Sequence, residues 1–166
     1  MRWLILVVGM SLTGAAPLLA QHDKHPPAQK NDSAFRALQQ RGKAVMGVDQ
    51  YTSSHVFESL ADGGRIELQR DADDSAAVRV IREHMREVAR RFAAGDFSFS
   101  EAVHDNHEIP GVATLRAARE AVRYTYRELP RGGEVRLTST DARLVKAIHE
   151  FLAFQNSDHR TGQHGK

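Results

Sequence analysis

Two stretches of the chain alternate between apolar and polar residues on either side of a glycine pair. They are residues 53–71, SSHVFESLADGGRIELQRD, and residues 121–140, AVRYTYRELPRGGEVRLTST. Alternation with a period of two is typical of a strand with one buried face, and Asp-Gly or Gly-Gly supplies the positive φ angles of a tight bend. The pattern therefore predicts two β-hairpins.

After each hairpin, apolar residues recur at the three- and four-residue spacing of an amphipathic helix. The first helix is predicted over residues 75–92, with Asp74 or Ser75 as its N-cap. The second is predicted over residues 141–156 or beyond, with Thr140 as its N-cap. Short polar side chains are favoured at an N-cap because they accept hydrogen bonds from free backbone N–H groups.

The order strand–strand–helix thus occurs twice, over residues 53–94 and again over residues 121–160. Residues 95–120 link the two copies and are predicted to form a loop followed by a short helix from Val112. Because each hairpin and each helix has one apolar face, we expect one antiparallel sheet with both helices on the same face. The sequence predicts a single α+β domain over residues 34–162.

The first 20 residues are typical of a secretory signal peptide, in which Arg2 precedes an apolar run and small residues lead to cleavage after Ala20. The run is shorter than the ~20 residues that a membrane-spanning helix needs. We therefore expect a periplasmic or secreted protein without stable membrane insertion. Residues 21–33 are predicted to be a flexible leader before a short helix over residues 35–45, and residues 163–166 a tail.

Composition excludes several classes of function. The chain has no cysteine, so disulfides, thiolate metal sites, haem attached through cysteine and cysteine nucleophiles are absent. Its 23 Lys and Arg are scattered among 21 Asp and Glu, so no nucleic-acid partner is predicted. No H-E-x-x-H, G-x-S-x-G or glycine-rich phosphate loop occurs. No catalytic residue can be assigned, and a role other than catalysis is favoured.

Histidine is the outlier in composition, with nine residues that all follow the predicted signal peptide. Alignment of the apolar phases of the two helices places His84 at the position of Phe151. The same alignment places His159 at the position of Phe92. Two histidines are therefore predicted to replace aromatic residues on buried helix faces.

The strands show a third replacement. Counted back from each glycine pair, His55 corresponds to Tyr124 and shares a strand face with Phe57, because side chains two residues apart point the same way. Histidines from three separate elements could thus face one another. Three neutral imidazoles can bind Zn²⁺ or Cu²⁺ and leave a position open.

Further candidates lie outside these positions. His104 and His107 are in the linker, and His149 is predicted to lie at the surface, on the flank of the second helix. The complete set of candidate ligands is His55, His84, His104, His107, His149 and His159. The sequence predicts a periplasmic protein that binds, buffers or delivers copper or zinc.

Two other interpretations are open. A histidine on an apolar face is often a hydrogen-bonded core residue, and the sheet–helix cleft would then bind a small apolar ligand or a protein partner without metal. An enzyme that uses His104 or His55 as a base is a third possibility, although no nucleophile is identifiable. Ligand nitrogens ~2.0–2.1 Å from one ion must lie within about 4 Å of one another, which distinguishes the first interpretation from the rest.

Seven segments, TSSHVF, DGGRIEL, IREHM, RFAAGDF, PGV, AIHEFLAFQ and DHRTG, together resemble a family of small exported bacterial proteins. The resemblance spans residues 46–162 and implies no particular activity. In such relatives the position of Val56 is often a second histidine, and His107 lies outside the motifs. The resemblance places five histidines on family positions: His55, His84, His149 and His159, which lie within these segments, and His104, which lies between them.

Overall fold

A four-stranded antiparallel sheet and five α-helices form the part of the chain that the structure, a computed structural model, describes, residues 29–161. The strands are β1 (Ser53–Leu60), β2 (Gly63–Arg70), β3 (Arg123–Leu129) and β4 (Gly132–Thr138). The helices are α1 (Gln29–Met46), α2 (Ser75–Ala93), α3 (Ser98–His104), α4 (Val112–Ala117) and α5 (Ala142–His159). The predicted α+β fold is confirmed. The predicted signal peptide and the tail lie outside the described residues.

The two hairpins meet side by side, in the strand order β1-β2-β4-β3. In the first hairpin His55 pairs with Leu68, and in the second Tyr124 pairs with Leu137. The inner strands β2 and β4 pair with each other, so the sheet joins the two copies along its centre. The predicted correspondence between His55 and Tyr124 is confirmed by these registers.

Each long helix packs on the hairpin of the other copy. Helix α2 follows β1 and β2 in sequence but packs mainly on β3 and β4, and α5 packs on β1 and β2. The apolar stripe of each helix and the inner face of the sheet form one continuous core. The crossing brings the end of α5 over the beginning of β1, which positions the histidines described below.

The core is built around a group of aromatic rings. The ring centres of Phe92 and Phe97 are 4.4 Å apart, and Phe151 meets both at 5.8 Å in edge-to-face contacts. The opposite face of the sheet carries paired charges, such as Arg127 with Glu134.

Among residues 29–161, no helix is long and apolar enough to cross a membrane.

Two boundaries differ from those predicted. Helix α1 begins at Gln29, so residues 29–33, predicted as part of a flexible leader, are helical. The N-cap of α5 is Asp141 and not Thr140, because the Asp141 carboxylate accepts a 2.8 Å hydrogen bond from the Arg143 amide.

Helix α3 was predicted as loop. It is only 7 residues long, which is too short for a periodic pattern to distinguish it from an irregular segment. The Asp96 carboxylate accepts a hydrogen bond from the Ser98 amide at its start, and Asp105 adopts a left-handed φ of 51° at its end. The helix places His104 in the protein interior.

Gly111, at the start of α4, is expected to tolerate no side chain. Its φ is +80°, and a Cβ atom there would lie 2.1 Å from the Ala147 carbonyl oxygen of α5. Gly111→Ala should therefore reduce the free energy of unfolding by more than about 2 kcal/mol. Gly95→Ala is the matched control, since its φ of +77° is similar but its closest neighbour is the flexible Arg119 side chain at 3.1 Å.

The two glycine variants are compared by urea denaturation at pH 7. Gly95→Ala carries only the backbone strain and should lose about 1 kcal/mol. Equal losses for the two variants would show that the linker does not lie as close to α5 as the structure places it.

Candidate functional site

Four of the candidate histidines line one internal cavity. His55 comes from β1, His84 from α2, His104 from α3 and His159 from α5, and the cavity has a volume of about 60 Å³. This is room for about two water molecules at the ~30 Å³ that each occupies in the liquid. Apolar and aromatic side chains form most of the remaining wall.

His159 is the central ring of this cluster. Its ring centre lies 5.1 Å from that of His55 and 5.0 Å from that of His104. In the other copy, the corresponding position holds an edge-to-face contact between Phe92 and Tyr124 at 6.0 Å. A contact between two aromatic residues in one copy is thus a contact between two histidines in the other.

His159 is also the least exposed of the four. It is 7% exposed, and its Nδ1 atom is buried with no hydrogen-bond partner among the described residues. Burial, and then the nearby rings of His55 and His104, lower the pKa of His159 to about 2. The imidazole is therefore neutral at pH 7, with a nitrogen that no group among residues 29–161 satisfies.

His55 and His84 are partly buried and make ring contacts. The His55 ring stacks on Phe57 at 5.6 Å, and the His84 ring stacks on Phe99 at 5.4 Å. Burial lowers the pKa of each histidine to about 4. Both rings are neutral at pH 7, and within residues 29–161 neither forms a hydrogen bond.

His104 is held more firmly. Its Nδ1–H donates to the carboxylate of Asp158, and its Nε2 lies 2.8 Å from Oε1 of Gln155. The amide nitrogen of Gln155 is buried without a partner in the described part of the chain. A carboxylate on one imidazole nitrogen is the usual arrangement that orients a metal-binding histidine and makes the other nitrogen more basic.

The rings have the spacing of a metal site but not its orientation. Two imidazoles on one tetrahedral ion have ring centres roughly 5 Å apart when each nitrogen is ~2.0–2.1 Å from the metal. The His55–His159 and His104–His159 separations match this distance. However, no group of three or more His, Asp or Glu residues between positions 29 and 161 is arranged to hold an ion as it stands. Ligation would require rotation of the rings about their side-chain bonds.

A surface cleft adjoins the cavity. His55 and His159 line both spaces, so the two rings form the wall between the interior and the cleft. The cleft has a volume of about 560 Å³, and its polar lining includes Gln39, Gln50 and Asp71. A rotation of either ring would turn a nitrogen from one space towards the other.

Two of the predicted ligands lie elsewhere. His149 is partly buried and not simply at the surface, because its Nε2–H donates a 2.9 Å hydrogen bond to the Leu60 carbonyl at the end of β1. The His107 side chain is 89% exposed and lies 3.7 Å from Glu101. The structure brings neither to the cavity.

Several groups around the cavity were not predicted from the sequence. Met46 and Met85 line it, Gln155 lies against His104, and Asp158 pairs with His104 from a position 54 residues away. The predicted position of His159 on the apolar face was the sign in the sequence that α5 could present polar groups inward. No pattern in the sequence predicted that Asp158 pairs with His104, since the histidine next to Asp158 in the sequence is His159.

Comparison with known proteins does not identify the chain. No protein family, curated protein or solved structure gives a significant match. The resemblance to small exported bacterial proteins therefore stays a prediction, and the function has to be argued from the chemistry of the cavity.

Proposed function

We propose that this protein binds a copper or zinc ion at the four-histidine cavity, for storage, buffering or delivery outside the cytoplasm. One observation carries the proposal: imidazoles from four separate elements line a single cavity, and the Nδ1 atom of the central one, His159, has no partner among the described residues. A buried polar atom without a partner costs about 1–3 kcal/mol. An ion or an ordered water molecule would remove that cost.

The protonation states suit metal binding. A histidine must be neutral to ligate, so protons compete with the ion at any histidine of ordinary pKa. The pKa values of His55 and His84 are lowered to about 4, and that of His159 is lower still. Their nitrogens therefore stay available for ligation down to mildly acidic pH.

Binding requires a limited rearrangement. The ring of His159 already has the right distance to two neighbours, so rotation of His55 and His159 can direct their nitrogens towards a common point. His104 would exchange its contact with the Gln155 amide for the ion and keep the Asp158 carboxylate on its other nitrogen. Metal affinity should then depend on four elements that meet only in the folded chain.

The size of the cavity argues against a small apolar ligand bound among the histidines themselves. Sites for such ligands have volumes of ~300–1,000 Å³, whereas this cavity has about 60 Å³. The large hydrophobic side chains exposed between residues 29 and 161 are Tyr51, Val56 and Val80, and three such side chains do not make up an extended protein-binding patch.

Metal content after desalting tests the proposal. The mature protein would be loaded with Cu or Zn at micromolar free concentration, on a background in which His22, His25 and His164 are changed to Ala so that the termini bind nothing. We expect about one ion per chain by mass spectrometry. The variant His55→Phe/His159→Phe should bind at least roughly 100-fold more weakly, because both rings are lost.

The control is His107→Gln, which changes an exposed histidine outside the cavity and should bind metal normally. Absence of stoichiometric copper and zinc would refute the proposal. Undiminished binding by His55→Phe/His159→Phe would place the metal elsewhere and refute it equally.

A further inference from the structure

We propose that the ion is copper(I), bound by cavity histidines together with the thioether sulfur of Met85, Met46 or both. This inference rests on the proposed metal-binding function and narrows it to one ion. It depends on which side chains line the cavity, on their charge and on the space that they enclose.

The methionines of the mature chain are concentrated at this one place. The protein has four methionines, at positions 1, 10, 46 and 85, and the first two belong to the predicted signal peptide. Met46 and Met85, which are 6% and 2% exposed, both line the cavity with the four histidines. They approach from α1 and α2, so each could supply a sulfur ligand from a different direction.

The ligand set is neutral. Imidazole and thioether carry no charge, and the chain has no cysteine to supply a thiolate. The carboxylate in contact with the cavity histidines is that of Asp158, which already accepts a hydrogen bond from His104. A divalent ion would therefore keep most of its charge in an apolar, poorly hydrated space.

Charge decides between the candidate ions. The free energy of moving an ion into a low-dielectric medium rises with the square of its charge, so it is about fourfold greater for Zn²⁺ or Cu²⁺ than for a monovalent ion of equal size. Soft thioether ligands also select Cu(I), whereas Zn²⁺ in structural sites takes four ligands, often with anionic thiolates among them. The low charge of the ion and the soft thioether ligands both favour copper(I).

Methionine also fills gaps in cores that have no metal. The corresponding residue of the other copy shows which side chain can replace Met85 in that packing role. The helix alignment that matches His84 with Phe151 places Met85 at the position of Leu152, which is fully buried in the same core. Met85→Leu should therefore preserve packing while it removes the sulfur. Thermal unfolding of metal-free protein would confirm that the fold is retained.

The test is a pair of competition titrations on the background without terminal histidines. Cu(I) would be added anaerobically against bathocuproine disulfonate, and Zn²⁺ against a chromogenic zinc chelator. We expect Cu(I) to bind much more tightly than Zn²⁺. Met85→Leu should weaken Cu(I) binding roughly tenfold and Met46→Leu/Met85→Leu about 100-fold, with little change for Zn²⁺.

The outcomes separate this inference from the function on which it rests. If Zn²⁺ or Cu²⁺ binds stoichiometrically but Cu(I) does not, the protein is a metal-binding protein and the inference is wrong. Equal Cu(I) affinity in the parent protein and in Met46→Leu/Met85→Leu would also overturn it. If none of the three ions binds, the proposed function itself fails.

Discussion

The metal-free protein is expected to lose stability steeply as the pH falls from about 6.5 to 4. His55, His84 and His159 all have folded-state pKa values well below the ordinary value of 6.5. In the unfolded chain they bind protons as soon as the pH falls below that value, whereas in the folded protein they cannot. Protons therefore favour unfolding in this window.

The expected effect is large. Each pKa unit corresponds to about 1.4 kcal/mol, so each of the three histidines should cost on the order of 2 kcal/mol at pH 5 and about 3 kcal/mol at pH 4. A domain of this size is typically stable by only ~5–15 kcal/mol. The three histidines impose no such cost above about pH 6.5, where they are neutral in both the folded and the unfolded chain. We expect acid unfolding between roughly pH 5 and pH 4.

The histidine effect is separable from that of the carboxylates. Hydrogen bonds from Arg90 and Arg91 lower the pKa of Glu87 to about 2, and paired Asp62 and Asp96 also have lowered pKa values. Such groups stabilise the folded protein above their unfolded pKa of about 4 and lose that contribution only below it.

Urea denaturation at pH 7, 6, 5 and 4.5 measures the histidine window. A free energy of unfolding that stays constant from pH 7 to pH 5 would show that these imidazoles are not sequestered from protons.

The second prediction is that His55→Phe/His159→Phe stabilises the metal-free protein. Phe92 and Tyr124 already form the corresponding aromatic contact in the other copy, and the cavity beside the two histidines gives the larger rings room to adjust. The change also removes the Nδ1 atom that lacks a hydrogen bond. We expect a gain of about 1–3 kcal/mol at pH 7.

The gain should grow as the pH falls, because two of the three acid-sensitive groups are gone. At pH 5 the difference between variant and parent should exceed that at pH 7 by a few kcal/mol. Such a result would indicate that the histidines are retained for function at the expense of stability. A destabilised variant with a native spectrum would instead show that the two histidines are structural core residues.

His149→Phe is the matched control for this experiment. That histidine lies on the same helix but donates a hydrogen bond to the Leu60 carbonyl. Its replacement removes that hydrogen bond and should cost about 1 kcal/mol. The two histidine-to-phenylalanine changes on α5 are therefore expected to have opposite signs.

Much of the fold was predictable because its signals are local. The alternation around each glycine pair predicted both hairpins, and the phase of the apolar stripes predicted which histidines face inward. His55, His84 and His159 were found in this way, and all three line the cavity. The match of His159 with Phe92 required alignment by apolar phase, since an alignment of identical letters would have paired His84 with His149.

The remainder depends on long-range packing that no local pattern records. The exchange of α2 and α5 between the two hairpins brings His159 to His55, and the sequence alone gives no sign of it. The pairing of His104 with Asp158 spans two elements and required α3, which is too short to predict. Met85 lies on the apolar stripe of α2, and only the position of the cavity shows that it borders the same space as the four histidines.

The most direct test of the central claim is ¹⁵N NMR of the imidazole nitrogens during titration with diamagnetic Cu(I) or Zn²⁺. We expect one equivalent to shift nitrogen resonances of His55, His104 and His159, with His84 affected as their neighbour across the cavity. Those of His107 and His149 should stay unchanged. Shifts confined to histidines outside the cavity, or no shift at one equivalent of either ion, would contradict it.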